Sequence, residues 1–361
     1  MMLRDVEWEA CALQPRHDRE LEAFVREKLG AVPSAVPYFA ASPWIVRALT
    51  NLGYNGAPLV GVDYALADLL GLVVSQDNSC RYCYGVQRTV MRIHGVPEAR
   101  IREIEQNYLE AEIEPRTRLA LDFARRISRA SPLVSASDAA DLRATGWETP
   151  AIRELAYLSA YNVFMNRLMT TAAIPITGVE RVAGHWAVGW LAPLARLMMR
   201  RRWRHSPGTR LSPEQRSGPW SYLVCALDGL PAAGVLRTVI DQMWDSPHLT
   251  RRAKALVFAV IARGLDSSLA EREATGLIEA NGLERGEIEP VLTHLSSPAL
   301  DPVEAAIVPF ARGTIRGRPT QLQERTRALL ARLPGEQVVE TVGVCALANA
   351  LCRLSVVTQL E

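Results

Sequence analysis

Apolar residues recur at spacings of three and four along nearly the whole chain, as in Ala65 to Val74, Leu119 to Ile127 and Ile152 to Leu168. That period places them on one face of an α-helix, and no stretch reads convincingly as a strand. Between these runs lie helix breakers: Gly56-Ala57-Pro58, Gly95-Val96-Pro97, Ser131-Pro132, Thr149-Pro150, Ser206-Pro207-Gly208 and Pro334-Gly335. Each is suited to end one helix or open the next. The pattern predicts an all-α fold, a bundle of short to medium helices.

Sliding the chain against itself by 187 residues brings its halves into phase. Leu69 meets Leu256, Val73 meets Val260, Gly95 meets Gly282, Ile101 meets Ile288, Phe123-Ala124-Arg125 meets Phe310-Ala311-Arg312, and Pro132 meets Pro319. After one deleted residue, Glu154 meets Glu340 and Arg167-Leu168 meets Arg353-Leu354. A tripeptide, a Gly and a Pro in one ungapped frame point to two tandem copies of one helical domain. The expected division is a first copy over 1–180, a linker helix with a basic cluster over 181–215, and a second copy over 216–361. Such a chain is a pseudo-dimer in itself, or assembles further into a homo-oligomer.

The segment from Val182 to Met199 is apolar but interrupted by His185, Pro193 and Arg196, too broken for a comfortable membrane span. It runs into Arg200, Arg201, Arg202, Arg204 and His205. Trp186, Trp190 and Trp203 among these basic residues leave a weak membrane-surface contact over 186–205 open. The plainer reading is a linker helix packed across the two copies with a solvated basic end.

Composition adds exclusions. The 361 residues are 48% hydrophobic and 22% charged, with 41 basic against 39 acidic side chains, which excludes disorder and collagen-like repetition. A formal charge of +2 provides no field for nucleic acid, so no nucleic-acid partner is expected. The first twenty residues carry acids and an Arg ahead of any apolar run, unlike a secretory signal or transit peptide. The expected compartment is therefore the reducing cytoplasm, where a close cysteine pair is more often catalytic or metal-binding than a structural staple.

One such pair exists, in Ser79-Cys80-Arg81-Tyr82-Cys83-Tyr84-Gly85-Val86-Gln87. Asn78 or Ser79 can cap a helix, which would put Cys80 in its first turn, where free backbone amides and the helix dipole favour a thiolate. Cys83 lies one turn on, close enough for the pair to cycle between dithiol and disulfide. A structural zinc site needs about four ligands, and the chain has no second CxxC and no HxxxH. A thioredoxin domain needs a βαβ context, which is missing. Buried, inert cysteines are the remaining bland alternative. No metal or cofactor is expected.

This context resembles the alkylhydroperoxidase D and carboxymuconolactone decarboxylase superfamily, and within it the peroxidase-related branch. Its redox members are all-helical and carry a Glu, then about a dozen residues later C-x-x-C-x-x-x-H. The resemblance covers about Pro43 to Pro175, with the fingerprint at Asp68, Cys80, Cys83 and Gln87, and Tyr161-Asn162-Val163-Phe164-Met165-Asn166-Arg167 looks like that branch's Tyr-Asn-x-x-x-Asn-Arg stretch. It implies Cys83 as attacking thiolate, Cys80 as resolving thiol, and a proton relay at the acid and His positions. Here Asp68 replaces Glu and keeps the carboxylate, while Gln87 replaces His with an amide that cannot exchange a proton near neutral pH. His94 lies eleven residues beyond Cys83, about 16 Å along the helix axis, and is placed outside the relay. Tyr82 and Tyr84 point away from the Cys83 face and are read as packing.

In the second copy the same offset turns Asp68, Cys80, Cys83 and Gln87 into Ala255, Ser267, Ala270 and Ala274, so that copy is read as scaffold. Cys11, Cys225, Cys345 and Cys352 are read as core or incidental thiols. The resemblance leads to a dithiol oxidoreductase reducing a small hydroperoxide or disulfide, regenerated by a thiol reductant that the sequence does not identify. A carboxymuconolactone decarboxylase-like enzyme and a non-enzymatic ligand-binding scaffold are the alternatives. The architectural expectation is that both halves share one fold, with Ser267 standing where Cys80 stands.

Overall fold

The structure is a computed structural model that describes residues 6–131, 133–176 and 205–360. The linker-helix and membrane-surface expectations fall mainly on 177–204, outside the described residues. Among the described residues the chain is helical, with one isolated antiparallel bridge between Thr209 and Gly229. The first half contains α1 (Arg19–Leu29), α2 (Val36–Phe39), α3 (Pro43–Asn51), α4 (Tyr64–Asp77), α5 (Arg81–Ile93), α6 (Glu98–Asn107), α7 (Pro115–Arg129), α8 (Ala136–Ala144) and α9 (Thr149–Thr171). The second contains α10 (Ser221–Ala226), α11 (Pro231–Asp245), α12 (Arg251–Gly264), α13 (Ser268–Ala280), α14 (Arg285–His294), α15 (Pro302–Gly313), α16 (Pro319–Leu330) and α17 (Gly335–Leu354).

Local chemistry sets many of these boundaries. Asp18 opens α1 by accepting the Leu21 N–H at 3.0 Å, and Gly30 closes it at φ 84°, a left-handed conformation that glycine adopts without strain. Asp63 caps α4, and proline stands in the first turn of α3, α7, α9, α11, α15 and α16, where its missing N–H costs nothing.

The longest helices, α9 and α17, are buried along most of their length and pack against each other at the centre of the molecule. Apolar residues on all sides of a helix require neighbours on all sides. The α4–α5 pair packs on α9, α12 packs on α17, and α13 packs on α12. The stretch Gly335–Gln359 is apolar and long enough to cross a membrane by length and composition, with mean hydropathy 1.6, but 94% of its most apolar part is buried in this core.

Helix positions in the halves run in parallel. The starts Tyr64 and Arg251, Arg81 and Ser268, Glu98 and Arg285, and Pro115 and Pro302 are each 187 residues apart. The left-handed residues repeat as well: Ser79 (φ 52°) with Asp266 (φ 54°), and Gly95 (φ 86°) with Gly282 (φ 92°).

Buried polar anchors tie distant segments together. The Glu154 carboxylate on α9 accepts the backbone N–H groups of Val60, Gly61 and Val62 at 2.7, 2.8 and 2.7 Å, fixing the segment that leads into α4. Glu340 on α17 accepts Trp44 Nε1–H at 2.9 Å and the Ser42 hydroxyl, while the fully buried Lys254 ammonium lies 3.7 Å away and donates to the Trp244 and Ser246 carbonyls. Burial is the main influence on Lys254 and pulls its pKa down. Here the first half's α3 is locked to the second half's α12 and α17. Removing an acceptor that serves three backbone N–H groups, with that of Val62 buried and those of Val60 and Gly61 partly so, leaves them without a partner at about 1–3 kcal/mol for each that water does not reach. Glu154→Ala is expected to destabilise the fold by about 3 kcal/mol or more and Glu154→Gln by less, measured by denaturant unfolding; equal losses in the two variants would show that hydrogen bonding is not what the side chain contributes.

Candidate functional site

Cys80 and Cys83 stand at the junction of α4, α5 and α9. The reversal from α4 to α5 takes three residues. Asn78 closes α4, its amide donating to Val74 O at 2.9 Å and Ser128 Oγ at 2.8 Å, and Ser79 turns the chain at φ 52°. Cys80 is then the N-cap of α5, with its Sγ accepting the Cys83 N–H at 3.3 Å. This corrects the expectation that Asn78 or Ser79 caps the helix with Cys80 inside the first turn: Asn78 is engaged by α4 and α7, and the thiol takes the capping role. Ser267 is likewise the N-cap of α13, but its hydroxyl meets Ser355 Oγ at 2.7 Å.

The electrostatics of the two thiols differ. Burial pushes Cys80 up, yet the Cys83 S–H and N–H, the Thr170 hydroxyl and the Arg167 guanidinium together bring it below the usual thiol range. Cys83 is driven well up, by burial first and then by the hydrogen bond and negative charge it shares with Cys80. Cys80 is therefore the thiol that ionises more readily, whereas the resemblance implies a thiolate on Cys83. Access runs the other way: Cys80 is 0% exposed and Cys83 8%.

The counter-charge is unusual. Arg167 is buried, and its Nη2 donates to Ile315 O at 2.8 Å. Burial lowers its pKa to about 10, with Cys80 acting in the opposite direction.

Asp68 is buried on α4, where its Oδ1 accepts the Tyr54 hydroxyl at 2.8 Å and its Oδ2 lies 2.6 Å from His94 Nδ1. Burial raises the Asp68 pKa against the pull of His94 and Tyr54. The expectation that His94 stands apart from the relay is corrected: α4 and α5 run antiparallel, so the level of Asp68 matches the C-terminal end of α5. Gln87 lies instead beside Gly71, where an added Cβ would come within 2.5 Å of Gln87 Nε2 and 3.2 Å of Asn162 Oδ1. A side chain at position 71 would displace both amides.

From there a polar file leads toward the thiols. Asn162, Asn166 and Thr170 succeed one another at one-turn spacing on α9, and Ser75 follows Gly71 by one turn on α4. Gln87 Oε1, Ser75 Oγ and both polar atoms of the Asn166 amide are buried without a hydrogen-bond partner, and the otherwise unpartnered Thr170 hydroxyl faces Cys80. Buried groups of this kind are normally satisfied by internal water. Sequence reasoning missed His94, Tyr54 and Thr170 as neighbours of the site. Asn162, Asn166 and Arg167 were visible only as a family-like stretch.

The remaining thiols lie in other settings. Burial pushes Cys345 up, Cys352 up to about 12, and Cys11 up despite its hydrogen bond to Leu13 O. Tyr82 and Tyr84 are buried, with Tyr82 against Ser34 and Tyr84 accepting from Arg88 at 3.2 Å, as packing residues would be. Among the described residues no group of three or more His, Cys, Asp or Glu is placed to hold a metal ion.

No protein-family model and no curated protein matches the chain. Solved structures similar to it include the following two. One is described as the alkylhydroperoxidase AhpD core, an uncharacterized peroxidase-related protein from Ralstonia eutropha JMP134, at 24% identity and TM-score 0.43, over 48% of this chain and 97% of that one. The other is an uncharacterized peroxidase-related protein from Silicibacter sp. TM1040, at 22% identity and TM-score 0.41, over 50% of this chain and 97% of that one.

The environment of Cys80 gives a titration test. Its thiolate stabilises the folded state fully above the unfolded thiol pKa of about 8.5 and loses that contribution as pH falls through the lower folded value. Thr170→Val keeps the shape and removes the hydroxyl. It is expected to move the ultraviolet thiolate titration to higher pH, and an unmoved titration would exclude Thr170 as a donor to the sulfur.

Proposed function

We propose that this protein is a dithiol/disulfide oxidoreductase that reduces a small hydroperoxide or a disulfide at the Cys80/Cys83 pair. The observation that carries this reading is the difference between the thiols: the Thr170 hydroxyl and the Arg167 guanidinium favour the ionised form of the fully enclosed Cys80, while Cys83 is the less enclosed of the two. In the hydroperoxide reaction Cys80 takes the Cys83 proton, and the Cys83 thiolate attacks the terminal peroxide oxygen. The O–O bond breaks, the alkoxide leaves with a proton as alcohol, and Cys83 is left as a sulfenic acid. Cys80, deprotonated again, attacks Cys83 Sγ, water leaves, and the disulfide is reduced by an external dithiol. Cys83 is thus the attacking group and Cys80 first the base and then the resolving thiol.

Proton delivery falls to Asp68, Gln87 and the groups around them. Gln87 accepts or donates hydrogen bonds without changing charge, so it passes protons only through water, and the Asp68 carboxylate stands at the far end of the file. The second half fits the role of scaffold in this reading. Its helices keep the positions of the first, while Ala255, Ala270 and Ala274 are buried where the polar site residues stand. We take the chain accordingly as two copies of one helical domain, with a single working site.

Thiol counting tests the redox role. Mild oxidant is expected to remove two titratable thiols and leave one Cys80–Cys83 disulfide by peptide mapping; inert thiols would favour a ligand-binding scaffold. Gln87→His is expected to accelerate attack of Cys83 on a small hydroperoxide near neutral pH, by less than the roughly hundredfold of a well-placed general base. Asp68→Asn should slow both the wild type and that variant. No acceleration in a folded Gln87→His protein would mean that proton transfer at this position does not limit the reaction.

A further inference from the structure

The two halves contain the same surface cleft with opposite electrostatics. In the first half it lies between α7 and α8, has a volume of about 390 Å³, and each of its three arginines is ion-paired. Arg125 and Arg129 both donate to Asp77, Arg126 pairs with Asp138, and Asp122 accepts the Tyr108 hydroxyl. The cleft between α15 and α16, 187 residues on, measures about 530 Å³. Asp77 is there replaced by Gly264, Asp122 by Pro309, Asp138 by Arg325 and Asp141 by Ala328.

Every acid of the first cleft is gone, and the second is lined by three guanidinium groups, one matching Arg125 and two standing where the first half has Asp138 and Thr145. Arg312, Arg325 and Arg332 line the second cleft, no acidic residue lines it, and among the described residues the guanidinium group of none of the three forms an ion pair or a hydrogen bond. The backbone has made room for two of them. A Cβ at Gly264 would lie 2.1 Å from Arg312 Nη1, and one at Gly313, which replaces Arg126, would lie 1.6 Å from Arg325 Nη1. Beneath this rim the floor is apolar, formed by Ala306, Phe310 and Leu329, all buried.

We infer that the α15–α16 cleft binds a free anionic amphiphile, a carboxylate with an apolar body. Arginine suits carboxylate because its planar fork donates two parallel hydrogen bonds, and three exposed guanidinium groups at one rim with no carboxylate among them give an anion several such donors at once. The floor then takes the apolar body, and the volume lies within the roughly 300–1,000 Å³ usual for small-molecule sites. A lipid surface fits less well, since Phe310 and Leu329 lie recessed below the arginines and cannot insert into a bilayer. The inference is independent of the thiol chemistry.

Isothermal titration of the full chain with octanoate tests it, against octan-1-ol, inorganic phosphate and anionic phosphatidylglycerol vesicles. Octanoate is expected to bind saturably at one site, with affinity falling as salt is raised. Octan-1-ol should bind at least about tenfold more weakly, the worth of one charge-assisted hydrogen bond. The double variant Arg325→Asp, Ala328→Asp restores first-half acids at two exposed positions. It should weaken octanoate by about tenfold or more without shifting the unfolding midpoint or the Cys80 titration. Equal binding of octan-1-ol, full competition by phosphate, preferential binding to vesicles, or unchanged affinity in the double variant would each overturn the proposal.

Discussion

The structure turns on a positive charge buried without a carboxylate. Arg167 on α9 and Arg353 on α17 occupy matching places in the central helix pair, and both donate to the same acceptor, Ile315 O, at 2.8 and 3.3 Å. Two enclosed guanidinium groups sharing one carbonyl are costly, and burial, joined for Arg353 by repulsion from Arg167, lowers their pKa values to about 10 and about 9. Each half resolves this cost in its own way.

In the second half neutral acceptors surround the cation. Arg353 donates to Ser128 O, Asn349 O and Asn349 Oδ1 at 2.8, 3.0 and 2.8 Å, and Ser267 nearby is occupied with Ser355. In the first half Arg167 has Ile315 O and a neighbouring thiol, with its Nε unpartnered. The Cys80 sulfur stands where the carbonyls and Asn349 stand for Arg353. The same interior requirement is thus met by neutral oxygen acceptors in one half and by a carbonyl and a sulfur in the other.

The same divergence reaches the surface. In the first half Asp77, next to the turn that carries Cys80, lies under Arg125 and Arg129, a bidentate clamp that braces the end of α4. In the second half Gly264 stands at that place, so Arg312, which matches Arg125, has no aspartate there to clamp.

Periodicity and breakers alone determined the helices, their order and the 187-residue phase between halves, because burying one face of a helix leaves a local repeat that any reading frame can detect. The CxxC pair and a helix beginning near it were equally legible, although the capping residue was not, because Asn78 is engaged by α4 and α7 and leaves the cap to Cys80. Tertiary structure decided everything set by antiparallel packing. Reckoned along α5 from Cys83, His94 is remote; reckoned from α4, it is the residue at the level of Asp68, 26 positions away in sequence and 2.6 Å away in space. Which sulfur holds the charge was also beyond the sequence, since a residue's pKa depends on burial and on donors from other elements. Cys80 is set apart from Cys83 by Thr170 and Arg167 on α9, whose approach to the cap of α5 is a property of the packed bundle.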